Sequence, residues 1–176
     1  MSLKNWFKAG FKPAMAAGLN AEDIFQKMAE EKGWILEKIA QDKGAFDKYQ
    51  KHSETSIKRG DFLCRNCNNA EIEVKCKQLY QHQGEDCYLL EYSHVKRHEA
   101  MQELTKSPVV FAVFERDGSK VVWGHLRMFT PDYILQTPEY SRGELYDRKN
   151  KCIRIPLRYT RPGFRVLQIL GGQGAA

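Results

Sequence analysis

The segment Gly60-Asp-Phe-Leu-Cys-Arg-Asn-Cys-Asn-Asn-Ala-Glu-Ile-Glu-Val-Lys-Cys-Lys77 decides the predicted fold of this 176-residue chain. Residues 61–65 and 70–78 have the composition of two β-strands, and the asparagine-rich segment between them is typical of a turn. Side chains along a strand point alternately to the two faces of a sheet, so the second strand has an apolar face and a charged face. The charged face carries Glu71, Glu73, Lys75 and Lys77. An ordinary solvent-exposed strand has the same kind of pattern. The charged face can therefore be either a solvated surface or part of a functional site, and both interpretations stay open at this point.

Asp61 begins the first of these strands, 12 residues before Glu73 on the second strand. Two neighbouring strands bring such carboxylates close together, and carboxylates at close range repel each other unless a cation lies between them. A hard divalent ion takes oxygen ligands in this arrangement. Lys75 follows Glu73 on the same face and can pair with a metal-bound water or with developing negative charge. The pattern therefore predicts metal-dependent chemistry at Asp61, Glu73 and Lys75.

Helices and further strands surround this block along the chain. Helices are predicted at residues 21–32 and 94–106, and strands at residues 34–36, 87–91, 109–115 and 121–126. The expected fold class is α/β, with a central mixed sheet flanked by helices. The chain has no internal repeat and no linker, so we expect one domain.

The segments Gly60-Asp61 and Glu73-Val74-Lys75 resemble the PD-(D/E)xK nuclease superfamily, whose signature is an acid at the start of one strand and (D/E)-x-K on the next. Glu22, in a helix that ends at Gly33-Trp34, resembles the helical glutamate of the Holliday-junction-resolvase-like members. The resemblance covers residues 22–126 and implies a restriction-endonuclease-like αβββαβ core. Gly60 stands where many members have proline. The helical position that often carries a Gln or Lys has several candidates here, namely His94, Arg97, His98 and Gln102.

The resemblance implies an endonuclease that hydrolyses DNA phosphodiester bonds with Mg²⁺, for which Mn²⁺ can substitute. Asp61, Glu73 and Glu22 would hold the metal, and Lys75 would orient the nucleophile or stabilise the transition-state charge. RNA stays open as a substrate, and so does a homodimer, since cutting two strands takes two sites. The alternative is a non-catalytic nucleic-acid-binding module that retains the nuclease fold.

Three parts of the chain are expected on this basis. Residues 1–18 form an N-terminal arm, residues 19–130 the nuclease-like core, and residues 131–176 a basic C-terminal extension packed on the same domain. The net charge is +6, and residues 142–176 carry eight basic against two acidic residues, a surplus equal to the whole net charge. Clustered cations favour a polyphosphate partner, although a solvated basic surface explains them equally well. The candidate nucleic-acid contacts are His94, Arg97, His98, Arg142, Arg154 and Arg158.

Cysteine usage and hydropathy bound the cellular setting. Five cysteines are an odd number, and the N-terminal residues lack the continuous apolar stretch of a secretory signal, so we expect a cytoplasmic protein without a disulfide scaffold. No apolar run approaches the ~18 residues of a membrane helix, so a membrane partner is not expected. Cys64 and Cys67 have the spacing of half a zinc site, but Cys76 and Cys87 are 11 residues apart. Structural Zn²⁺ is therefore not expected.

Overall fold

The computed structural model of the chain describes residues 21–118 and 120–172. The predicted N-terminal arm, residues 1–18, lies outside the described residues. The helices are α1 (residues 21–31), α2 (Lys43–Gln50), α3 (Tyr92–Thr105), α4 (Pro131–Leu135), α5 (Pro138–Ser141) and α6 (Arg165–Leu170). The strands are β1 (Leu36–Lys38), β2 (Phe62–Cys64), β3 (Ala70–Lys77), β4 (Tyr80–His82), β5 (Glu85–Glu91), β6 (Val109–Asp117), β7 (Lys120–Phe129), β8 (Tyr146–Asp147), β9 (Cys152–Pro156) and β10 (Arg161–Pro162).

The larger sheet has six strands in the order β1-β2-β3-β6-β7-β10. Strand β2 is antiparallel to both β1 and β3, whereas β3 and β6 are parallel and are connected through β4, β5 and α3. Strand β7 returns antiparallel to β6. The prediction of an α/β fold with a mixed central sheet and helices is confirmed.

Strand β6 is an inner strand of the sheet with a continuous apolar run. Such a run is typical of a strand whose two faces are both covered. Val110, Ala112 and Phe114 pack in a core cluster with residues of α1, β2, β3 and α6. Val109, Phe111 and Val113 pack on the opposite face, in a cluster that includes residues of α3, α4, β5 and β9. The sheet is therefore the middle layer between two apolar cores.

The charged face of β3 is on the same side of the sheet as this second core. Strand β3 is paired with β6 so that Glu71 lies beside Val109 and Glu73 beside Phe111. Both glutamates are buried, with exposed fractions of 1% and 0%. The interpretation of this face as an ordinary solvated strand surface is therefore wrong for its first half. Buried carboxylates require partners, and those partners build the site described below.

The turn between β2 and β3 has the predicted asparagine chemistry. Asn68 and Asn69 adopt φ of 53° and 50°, in the left-handed region that asparagine tolerates better than most residues. The turn is short enough to set the antiparallel register in which Phe62 lies beside Ile72. This register places Asp61, just before β2, beside the middle of β3.

A second, antiparallel sheet has the order β4-β5-β9-β8. Its strands come from both sides of residue 130, since β5 (Glu85–Glu91) pairs with β9 (Cys152–Pro156). The division of the chain at residue 130 stays a prediction. Within the described ranges, no helix combines the length and the apolar character needed to cross a membrane.

Candidate active site

An open pocket of about 290 Å³ lies where the chain enters β2 beside β3. Its lining includes all four residues that the sequence predicts to be catalytic, namely Glu22, Asp61, Glu73 and Lys75. Helix α1 contributes the first, the segment before β2 the second, and β3 the last two. The remaining lining residues are Gln41, Lys58, Val74, Cys76 and Lys77. The tertiary structure thus brings the sequence-predicted catalytic set to one place.

Backbone hydrogen bonds fix the position of Asp61. Its N–H donates to the carbonyl of Ile72 over 2.7 Å, and its carboxylate oxygen Oδ2 accepts from the N–H of Val74 over 2.7 Å. The chain approaches β3 so closely here that a Cβ on Gly60 would lie 2.7 Å from the carbonyl oxygen of Ile72. Glycine is therefore required at position 60 by space, and the absence of a proline there has a structural reason.

The surroundings of Asp61 disfavour the ionised form of its carboxyl group. Burial, the negative charge of Glu73 and, to a lesser degree, that of Glu22 raise its pKa to about 7, against the lowering effects of the Val74 hydrogen bond and of Lys75. The group therefore holds a proton at a pH where an exposed aspartate is ionised. A bound cation would favour the ionised form and remove this cost.

Glu73 is the most enclosed acid of the pocket. Its Oε1 accepts hydrogen bonds from the Nζ atoms of both Lys58 and Lys75. Its Oε2 lies 3.4 Å from Nε2 of His98 and has no hydrogen-bond partner. Burial acts to raise the pKa of Glu73, but His98, Lys75 and Lys58 outweigh it and hold the pKa well below its usual range. Glu73 is therefore the permanent negative charge of the site.

Lys75 keeps its positive charge within this arrangement. Burial acts to lower the pKa of its ammonium group, whereas the carboxylates of Glu73 and Asp61 raise it above the ordinary lysine value. Its side chain is partly buried against Glu73, in reach of the pocket. An ammonium held charged in a partly dry pocket suits the stabilisation of negative charge that develops in a transition state.

Two features of the site were not predicted from the sequence. Lys58 is one of them, and the only sequence signal for it is the basic pair Lys58-Arg59 directly ahead of Gly60. The other is the buried ion pair between Arg59 and Glu71, in which Nε and Nη2 lie 3.0 and 2.7 Å from Oε1. No local sequence signal points to this pair, because its two members lie on different segments.

The Arg59–Glu71 pair holds the segment that carries Asp61. The second oxygen of Glu71 accepts from the N–H of Gly60 over 3.0 Å. Arg59 in turn donates to the hydroxyl of Tyr49 over 3.1 Å, and its guanidinium carbon lies 4.6 Å from the centre of that ring. These contacts fix residues 59 and 60 on both sides, so the neighbouring side chains of Lys58 and Asp61 start from a rigid backbone.

The residues present fit a divalent cation bound by two carboxylates. Asp61 and Glu73 both line the pocket, and Oε2 of Glu73 has no hydrogen-bond partner, so both carboxylates could offer an oxygen ligand. Glu22 stands farther out and forms an ion pair with Lys38 over 3.2 Å. Within the described residues, no group of three or more His, Cys, Asp or Glu side chains is arranged to hold a metal ion. A metal at Asp61 and Glu73 would therefore complete its coordination with water or with substrate.

The three predicted nucleic-acid contacts on α3 have different surroundings. Nε2 of His94 lies 3.2 Å from a carboxylate oxygen of Glu91, and burial together with the positive charge of Lys58 lowers the pKa of the ring. Arg97 is exposed, and its carbonyl accepts from the N–H of Lys58 over 3.1 Å. Both residues are therefore placed close to the pocket segment.

His98 requires a correction. Its ring is wholly buried, with an exposed fraction of 0%, and packs edge-on against Phe111 with 5.2 Å between ring centres. A buried ring has no surface to offer a nucleic acid, so His98 belongs to the support of Glu73 instead. Gln102, another candidate for the helical position, donates to Asp132 and accepts from the N–H of Val109 over 2.9 Å. It connects α3 to α4 and β6 and does not line the pocket.

The three predicted arginine contacts lie outside the pocket and face carboxylates. Arg142 pairs with Glu144 over 2.5 Å and Arg154 with Asp147 over 3.1 Å. Arg158 pairs with Glu85 and, over 3.5 Å, with Glu139. A phosphate would have to compete with these carboxylates, so their role in binding stays a prediction.

Cys64 and Cys67 lie in the apolar core, and whether they bind a metal stays a prediction. Both thiols are buried in the core between the sheet, α1 and α6, and Cys67 Sγ donates to the carbonyl of Leu167 over 3.2 Å. None of the five cysteines, all of which lie within the described residues, forms a disulfide.

No family model matches the chain, and no curated protein is significantly similar to it. The resemblance to PD-(D/E)xK nucleases therefore rests on the motif and on the order of the surrounding elements.

Proposed function

We propose that the chain is a metal-dependent endonuclease that hydrolyses DNA phosphodiester bonds. The observation that carries the proposal is the convergence of Glu22, Asp61, Glu73 and Lys75 in one open pocket. They come from three separate segments of the chain, and only an arrangement around a common centre gives the set a shared chemistry.

The order and direction of the elements support a restriction-endonuclease-like core. Helix α1 precedes the antiparallel strands β1, β2 and β3, and α3 then leads into β6, parallel to β3. If α2, which lies between β1 and β2, is taken as an insertion, this order supports the αβββαβ core that the motif resemblance implies. In this interpretation, the hairpin β4–β5 is an insertion between β3, which carries Glu73, and α3. Its two strands belong to the second sheet.

Each residue of the pocket has a role in the proposed reaction. Asp61 and Glu73 would hold Mg²⁺ or Mn²⁺ directly, and Glu22 would act through water. The metal would supply Lewis-acid activation of the phosphoryl group and a bound water of lowered pKa. Lys75 would donate to the non-bridging oxygen as negative charge develops on it, and would orient the attacking water. The buried Arg59–Glu71 pair would hold Asp61 in register throughout.

DNA is the proposed partner, with RNA as a further substrate to be tested. His94 and Arg97 lie near the pocket and would contact phosphates close to the cleaved bond. Arg142, Arg154 and Arg158 would contact flanking phosphates, as cations that exchange carboxylate partners for phosphate. A cytoplasmic location, for which cysteines without disulfides are suited, and a homodimer with two cutting sites complete the proposal.

A non-catalytic nucleic-acid-binding module is the second candidate. One observation favours it, namely that Glu73 is already in contact with Lys58, Lys75 and His98. A carboxylate with so many partners resists a metal more than a carboxylate with none. The two candidates differ in whether divalent ions bind and whether DNA is cut.

A cleavage assay distinguishes the two functions. Supercoiled plasmid, branched DNA, single-stranded DNA and RNA are incubated with the protein in Mg²⁺, in Mn²⁺ or in chelator, beside Asp61→Asn and Lys75→Ala as matched controls. The endonuclease is expected to cut at least one substrate with metal only, and both variants are expected to lose this activity. Binding of DNA by the wild-type protein without cleavage in either metal would favour the non-catalytic module.

A further inference from the structure

We propose that Lys58 occupies Glu73 in the absence of a divalent cation and moves to a substrate phosphate when the cation binds. Metal binding and phosphate binding would then strengthen each other through one side chain. The inference rests on the proposed function, and it concerns a residue that the nuclease motif does not contain.

The first observation is that two ammonium groups share one oxygen. Lys58 Nζ and Lys75 Nζ both contact Oε1 of Glu73, although that carboxylate carries a single negative charge. Like charges held this close repel each other, so one of the two lysines is the weaker partner. Lys75 belongs to the same strand as Glu73, whereas Lys58 reaches Glu73 from the segment ahead of β2. Lys58 is therefore the lysine that can be displaced without disturbing the sheet.

The second observation is that the backbone of Lys58 is fixed while its side chain keeps solvent access. Its N–H donates to the carbonyl of Arg97 over 3.1 Å, Ile57 before it is buried, and Arg59 after it is held by Glu71. The Lys58 side chain is 28% exposed. Because the backbone of Lys58 is fixed and only its four-carbon side chain is flexible, the ammonium group can reach only the pocket and its rim.

The third observation is the chemistry that Lys58 would meet once displaced. Lys75 and Lys77 line the same pocket, so a released Lys58 would stand with them as a third cation. Burial and, second to it, the charge of Lys75 lower the pKa of Lys77, and an anion in the pocket would offset the second effect. A phosphate group is the anion that lies beside the metal in the proposed reaction, and lysine contacts phosphate as a point charge.

A divalent cation at Glu73 and the Lys58 ammonium compete for the same carboxylate. The interaction of the cation with Glu73 would thus compensate for the loss of the Lys58–Glu73 contact. The released lysine would then bind phosphate. By thermodynamic linkage, phosphate binding by Lys58 would raise the metal affinity by the same factor. In metal-free protein Lys58 would therefore stay on Glu73, and metal-loaded protein would gain a phosphate contact.

The first test is a calorimetric titration of Mg²⁺ into protein without nucleic acid. Lys58→Gln removes the competing cation and is expected to bind Mg²⁺ about fivefold more tightly than the wild-type protein, the factor for a partly exposed ion pair at the upper end of its range. Lys58→Arg keeps the charge and is expected to stay close to the wild-type affinity. Lys48→Gln, at an exposed position of α2, is the control for a change of net charge.

The second test measures the coupling to phosphate. Fluorescence anisotropy of a short labelled DNA duplex gives its affinity with Ca²⁺, which takes oxygen ligands as Mg²⁺ does, and with chelator. Ca²⁺ is expected to raise the DNA affinity of the wild-type protein and of Lys48→Gln at least fivefold more than that of Lys58→Gln. Without metal, Lys58→Gln is expected to bind DNA within twofold of the wild-type protein, because Lys58 is then engaged with Glu73. Thermal unfolding of each variant shows that it is folded.

The outcomes separate this inference from the proposed function. Equal or weaker Mg²⁺ binding by Lys58→Gln, in a protein whose wild-type form binds Mg²⁺, overturns the role of Lys58 and leaves the metal site intact. Binding of Mg²⁺ by Lys58→Gln alone supports the competition. If neither protein binds Mg²⁺ or Mn²⁺, the metal site and the exchange of Lys58 are both refuted.

Discussion

Replacing Asp61 by asparagine is expected to stabilise the metal-free protein at alkaline pH while it abolishes activity. The carboxyl group of Asp61 is partly buried near Glu73, and the positive charge of Lys75 offsets the effects of burial and of Glu73 only in part. Asparagine is nearly isosteric and keeps an oxygen that can accept from the N–H of Val74, but it carries no charge. A site built to hold a cation thus costs stability when the cation is absent.

The size of the effect follows from the pKa of Asp61. Burial and Glu73 raise it from 3.8 in a model peptide to about 7 in the folded protein. At 1.36 kcal/mol per unit of pKa, the ionised form costs at most about 4 kcal/mol of the free energy of unfolding. Because the folded-state pKa lies above the unfolded-state value, the folded protein binds more protons between pH 4 and pH 7. The stability contributed by this group therefore falls as the pH rises through that window and is lowest above pH 7.

Urea unfolding of the wild-type protein and of Asp61→Asn measures this cost. Both are unfolded in chelator at several pH values from 4 to 8, and the difference between their free energies of unfolding is taken at each pH. The difference removes the titration of all other groups that the two proteins share. The expected result is a difference near zero at pH 4 that grows to as much as about 4 kcal/mol in favour of Asp61→Asn at pH 8. Asp47→Asn, at an exposed position of α2, is the matched control and is expected to show no such trend.

In the same experiment with Mg²⁺, the free energy of unfolding is expected to shift in favour of the wild-type protein. Metal requires the ionised carboxylate, so Mg²⁺ is expected to stabilise the wild-type protein more at pH 8 than at pH 5 and to leave Asp61→Asn unchanged. A difference between wild-type protein and Asp61→Asn that does not vary with pH would refute the electrostatic account of Asp61. Equal stabilisation of both proteins by Mg²⁺ would place the metal elsewhere.

Three further substitutions test other parts of the site and its surroundings. Lys75→Ala is expected to lower the cleavage rate at least ~100-fold while the Mg²⁺ affinity is unchanged or higher, and cleavage at the wild-type rate would remove Lys75 from the catalytic set. Glu71→Ala is expected to cost about 3–5 kcal/mol in urea unfolding because it leaves the Arg59 guanidinium buried without its partner, and Arg59→Met added to it should recover part of the loss. No recovery would mean that the carboxylate acts mainly through the Gly60 N–H. Alanine at both Arg154 and Arg158 is expected to weaken DNA binding equally for all sequences and to reduce the slope of log affinity against log salt by about two. An unchanged slope would show that their carboxylate partners keep both arginines.

The sequence predicted α1, α3 and the strands β2, β3, β5, β6 and β7 from local patterns, but not the short elements after residue 130. The alternation of residues 70–77 placed Glu73 and Lys75 on one face of a strand, and the apolar run of residues 109–115 indicated a further strand. Such patterns are read from neighbours along the chain, because a strand repeats every two residues whatever packs against it. The pairing of Asp61 with β3 followed from the short turn between the two strands.

Only the tertiary structure decided which charges are buried and with which partners. Glu71 and Glu73 belong to a charged strand face, and they are buried because α3 and the segment ahead of β2 cover that face. His98 had the pattern of a surface residue and lies against Glu73 instead. Lys58 meets Glu73 across 15 residues of chain, a contact that no local spacing encodes. Burial and ion pairing depend on segments that are distant in sequence, so the residues that tune this site became visible only when the chain was folded.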